Sequence, residues 1–121
     1  MSRDNTEALI QKLLRKKKDR FEALAWLKGS HAQSQRNLSE WTNAQSVEMV
    51  QQLYGCGAAE VLAVRFDRNP PYESINTLIV ALPADSVKRF AVFEWANEQI
   101  EKQGFDPEED YGQPYLYIWF D

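Results

Sequence analysis

One cysteine and one histidine are all that this 121-residue chain holds of two residue types on which much enzyme and metal chemistry depends. With Cys56 alone, an internal disulfide framework is impossible and a thiolate-rich metal site is excluded by count. With His31 alone, every two-histidine zinc pattern falls away as well. No stretch approaches the ~20 apolar residues of a membrane span, and the opening MSRDNTEAL, acidic at Asp4 and Glu7, lacks a signal-peptide core. A cytoplasmic protein without membrane contact is the expectation. Five Gly and five Pro are too few for a collagenous or low-complexity chain, and no internal repeat interrupts the pattern.

What remains is the composition of an ordinary folded domain, 44% hydrophobic and 26% charged, at a length suited to one core spanning residues 1–121. The net charge of −4 is unevenly spread. Residues 1–40 carry nine Lys or Arg against five Asp or Glu, whereas residues 41–121 carry five against thirteen. Such a dipolar chain is not a general nucleic-acid binder, although its basic part is a candidate local footprint.

Hydrophobic periodicity supplies the outline. Ile10, Leu13, Leu14, Phe21 and Leu24 fall on one stripe at helical spacing, predicting an amphipathic helix over residues 6–28 that Gly29 ends in a left-handed conformation. Residues 30–41 read as a polar linker. Thr42 with Gln45 forms a capping-box pattern before Val47, Val50, Leu53 and Tyr54, with Gly55 and Gly57 past the end. Residues 60–67 and 77–82 are β-branched strands, expected to pair as a hairpin whose connection projects as a loop around Pro70 and Pro71. Pro83 and Asp85 open a third helix reaching about Gln103, and YLYIWFD closes the chain as a strand.

The resulting order, α-α-β-β-α-β, predicts an α+β two-layer sandwich with residues 1–29 as an N-terminal helix and residues 42–121 as the core. The sheet is three-stranded and mixed, or four-stranded if residues 30–41 hide a strand, and the last two strands are joined by a right-handed crossover if they are parallel. By analogy this layout is ferredoxin-like, which carries no function.

Most catalytic readings fail on placement. Cys56, between Gly55 and Gly57, follows a helix C-terminus, where the dipole disfavours a thiolate. The same glycines cannot cradle a phosphate, since helix precedes them and strand follows. Asp106, Glu108, Glu109 and Asp110 lack the spacing of a calcium loop. The run from Arg15 to Arg20 forms a collar around the helix rather than a convergent stripe, which weakens nucleic-acid binding as an alternative. No catalytic residue, metal ligand or cofactor is assigned.

Two polar or aromatic features stand out. Asn97 interrupts the row of Phe90, Phe93 and Ile100, beside a second row of Val87, Ala91 and Trp95 that implies a second packing partner. The last strand places Leu116, Ile118 and Phe120 on one face, grouped with Leu62, Val64, Phe66, Leu78, Val80 and Leu82. Its other face gathers Tyr115, Tyr117, Trp119 and Asp121 with Val61, Ala63, Arg65 and Ile79, too apolar to stay in water. Its cover is the N-terminal helix, a second copy of the chain, or a ligand or single-stranded nucleic acid stacked on the aromatics with Arg65 beside them. The function expected is a non-enzymatic binding or regulatory module working through protein contact, with self-association foremost, at Tyr115, Tyr117, Trp119, Arg65 and Trp95. The alternative is a small-ligand site near Asn97, Arg65 and Gln113.

Overall fold

The computed structural model describes residues 3–120, so Asp121 lies outside the described residues. The elements are α1 (Arg3–Arg15), a 3-10 turn (Lys17–Asp19), β1 (Arg20–Glu22), α2 (Ala23–Lys28), β2 (Gln35–Leu38), α3 (Asn43–Cys56), β3 (Glu60–Asn69), β4 (Tyr72–Ala81), α4 (Ser86–Lys102) and β5 (Tyr115–Trp119). The chain is α+β, and among the described residues it has five strands rather than three or four. β3 lies between β1 and β4, and β2 and β5 follow one another along the far edge of β4. The β1–β3, β3–β4 and β4–β5 pairs are antiparallel and only β2–β4 is parallel, so the strand order is not the ferredoxin-like one.

The single helix expected over residues 6–28 is broken at Arg15 because its apolar residues serve opposite faces of the sheet. Ile10, with Leu13 and Leu14 beside it, packs on one face, while Ala23, Trp26 and Leu27 pack on the other. A straight helix cannot do both, so the chain crosses the sheet edge through β1. Glu22 then starts α2 by accepting from Leu24 N at 3.0 Å and Ala25 N at 2.7 Å. Gly29 does end this helix, but at φ −79° rather than in the left-handed region. Its requirement is space, since a Cβ there would stand 2.6 Å from Arg36 Nη1.

The linker of residues 30–41 contains β2, whose Gln35 to Leu38 pair in parallel with Tyr72 to Ile75. Thr42 and Gln45 do form the reciprocal cap, each side chain 3.1 Å from the other's backbone N–H. The β3–β4 hairpin is longer than the apolar runs implied. Both strands continue through polar residues to the pair Asn69 and Tyr72, leaving only Pro70 and Pro71 to turn.

The last strand returns antiparallel to β4, replacing the expected right-handed crossover of parallel strands. Ala81 pairs with Tyr115, so α4 carries the chain away and residues 103–114 must bring it back. That return path is the origin of most polar contacts on this side of the molecule.

The molecule has three layers, not two. Val61, Ala63, Leu78, Val80, Leu116 and Ile118 face α2, α3 and α4, while Leu62, Val64 and Ile79 face α1. The expected grouping of Leu62 and Val64 with Leu78 and Val80 is therefore off by one, because Leu62 pairs with Ile79 and Val64 with Thr77. At Arg65, whose φ is 60°, the strand changes face, so that Phe66 joins Ile75 in the α2–α4 core.

Candidate functional site

The aromatic face of β5 is built over by the chain itself. Tyr115 and Tyr117 pack half-buried against Ile10, Leu62, Val64 and Ile79, with Leu13 and Leu14 from α1 alongside. Trp119 pairs with Thr77 and meets the edge of Phe105 at 5.6 Å, and its carbonyl accepts from Gln103 Nε2 at 2.8 Å. Of the three covers open to this face, α1 is the one over Tyr115 and Tyr117.

Asn97 and Gln113 hold the returning segment in place. Asn97 Nδ2 donates to Glu108 O at 3.0 Å while its Oδ1 accepts from Glu108 N at 2.8 Å, so the side-chain amide pairs with a peptide group as a strand would. Gln113 is buried, accepting from Tyr111 N at 2.9 Å and donating to Glu109 O at 3.0 Å. Arg89 clasps the same segment, reaching Asp110 at 2.6 Å, Gln113 O at 3.1 Å and Pro83 O at 3.3 Å. The Asp110 carboxylate raises the Arg89 pKa, and the Arg89 guanidinium, with the Gly112 N–H, holds Asp110 below its ordinary value. Arg65 is not brought to this group, because it sits at the level of Asn76 and Phe120, past the far end of β5 from Gln113. Among the described residues no three of His, Cys, Asp or Glu converge to hold a metal ion, and no helix is long and apolar enough to cross a membrane.

Uncovered apolar surface lies instead on the outer side of α4. Val87 is 75% and Phe90 65% exposed, so Phe90 does not join the core with Phe93 and Ile100 as its spacing suggested. Of the row Val87, Ala91 and Trp95, Trp95 reaches α3, where it is half-buried and donates from Nε1 to Gln52 Oε1 at 2.9 Å. Lys88 lies over Gly57, which has φ 116° and no room for a Cβ. Cys56 is half-buried nearby, its thiol pushed up by burial and by Glu94, which leaves it a poor nucleophile.

A mixed aromatic and charged region occupies the side where the β3–β4 hairpin extends past β1 and α2. Phe66 receives the edges of Phe21 at 5.4 Å and Trp26 at 5.2 Å, with Arg36 over Trp26 and Arg68 over Phe66. A cleft of about 400 Å³ lies among Phe21, Trp26, Arg36, Arg68 and Glu73. Glu22 borders it but is fully engaged, accepting from Tyr54 Oη at 2.6 Å besides its two cap bonds. Across Arg68, a second cleft of about 270 Å³ is lined by Leu13, Lys16, Asp19, Arg65 and Phe66. Sequence periodicity missed this convergence, since Lys16 reaches β3 only because the helix stops at Arg15.

No family model matches the chain. No curated protein and no solved structure matches it either.

Proposed function

We propose that this protein is a non-enzymatic binding module that works through protein contact, and that the contact is a second copy of the chain docking on the outer face of α4. The exposure of Val87 and Phe90 carries this reading, because two large apolar side chains one turn apart on a rigid helix gain by leaving water. The face is also self-complementary. In an antiparallel pairing about a two-fold axis at Ala91, the small Ala91 side chains permit close approach, Val87 lies against the partner's Trp95, and Lys88 meets the partner's Glu94. Trp95 belongs to the proposed contact, whereas Tyr115 and Tyr117 pack with α1.

Sedimentation velocity and light scattering over a wide concentration range test the proposal. A dimer is expected, and Ala91→Arg, which places bulk and charge at the axis, should convert it to monomer while circular dichroism stays unchanged. A wild-type chain that remains monomeric at the highest concentration, or a dimer indifferent to Ala91→Arg and Val87→Asp alike, overturns it.

A further inference from the structure

We infer that the cleft of about 270 Å³ between the end of α1 and β3 binds a small molecule carrying a phosphate monoester. Its lining brings Lys16, Arg65 and Arg68 together against one carboxylate, Asp19. Among the described residues two of the three cations have no ion pair: neither Lys16 nor Arg65 lies within 4.0 Å of a carboxylate there, and Arg68 has Glu73 at 3.9 Å. Like charges gathered without neutralisation repel each other, so an anion placed among them relieves repulsion as well as gaining hydrogen bonds. With Glu73 on Arg68 counted beside Asp19 the local balance is +1, which an anion such as a phosphate monoester, carrying about −1.5 to −2 charges at neutral pH, neutralises.

The gathering is a product of the backbone. Arg20 pairs with Val64, so the 3-10 turn, one residue earlier, sits beside Arg65. There φ of 60° departs from the extended range and turns β3 where the cleft opens. The negative end of α1 also faces this corner, but its last turn carries Lys12 and Arg15, which offset it. Leu13 and Phe66 add apolar lining for the organic part of an ester. The overall charge of −4 repels long polyanions, which favours a compact anion over a nucleic acid.

The full chain is titrated by calorimetry with phenyl phosphate, with phenyl sulfate as a probe of the same shape and a single negative charge, and with a single-stranded oligonucleotide. Saturable one-to-one binding of phenyl phosphate is expected, at least tenfold tighter than phenyl sulfate. Lys16→Gln and Arg65→Gln should each weaken it tenfold or more, while Lys102→Gln leaves it unchanged and urea midpoints confirm that all variants fold. Absence of binding, equal affinity for the sulfate, insensitivity to Lys16→Gln and Arg65→Gln, or tighter binding of the oligonucleotide through the same residues each overturns the assignment.

Discussion

Tyr54→Phe removes one oxygen from the junction between α2, α3 and β3, and the loss can be worked out from what that oxygen touches. The hydroxyl donates to Glu22 Oε2 at 2.6 Å and accepts from Val61 N at 3.0 Å. A hydrogen bond to a charged group contributes about 1.5–3 kcal/mol, and leaving a buried N–H such as that of Val61 unpartnered costs about 1–3 kcal/mol. Glu22 keeps its bonds from Leu24 N and Ala25 N, so the upper ends of these ranges do not apply. A destabilisation of about 2.5–3 kcal/mol, near the sum of the lower ends, is expected, a shift of roughly 1.2–1.5 M in the urea midpoint at a slope of about 2 kcal/mol/M.

The pH dependence separates this mechanism from simple loss of packing. Burial raises the Glu22 pKa, but the Tyr54 hydroxyl and the Ala25 and Leu24 N–H groups outweigh it, and the carboxyl is held below its ordinary 4.5. Its contribution is therefore complete above pH 4.5 and is lost as pH falls through the lower folded value. Tyr54, by burial first and then by Glu22, is pushed up to about 12 from 10.0, so its contribution is complete below pH 10.0 and lost as pH rises through about 12. The gap between wild type and Tyr54→Phe should be widest between these limits and narrow in acid as Glu22 takes up its proton. Urea unfolding followed by tryptophan fluorescence reads both. A midpoint shift below about 0.25 M, equivalent to about 0.5 kcal/mol, or a gap of the same size at neutral pH and well below the carboxylate range, refutes the reasoning.

Asn97→Ala deletes both bonds to Glu108 and should cost about 1–2 kcal/mol. Its local signature is faster hydrogen exchange at the Glu108 amide and earlier proteolytic cleavage within residues 105–111. Gly57→Ala sets a Cβ 2.7 Å from that of Lys88 at φ 116°, which should cost about 1–3 kcal/mol, and an unchanged thermal midpoint would contradict the contact.

How far the fold could be read from the chain depended on whether a signal was local. The α3 cap was legible because Thr42 and Gln45 satisfy each other three residues apart, with no help from the rest of the molecule. The strand identity of YLYIW was equally local, since its alternation is visible without a partner. The break at Arg15 was not. Ile10 and Trp26 are both apolar at helical spacing, and only a sheet standing between them shows that they belong to different layers.

Register is the limiting case, because it is a relation between strands that neither strand carries alone. In β3, Val61 to Val64 are four buried apolar residues in succession, which gives no alternation to fix which face is which. A sheet covered on both faces tolerates either reading until pairing decides, and the pairing of Val61 with Val80 decided it. The same double covering governs the candidate sites. Once α1 takes one face and three helices take the other, the sheet has little apolar surface left for a partner, and exposure moves outward to Val87 and Phe90. Asn97 was legible as a polar interruption, but its partner, the Glu108 peptide, becomes adjacent only because an antiparallel β5 forces the chain back along α4. Long-range topology, not residue type, thus set what each conspicuous side chain was free to do.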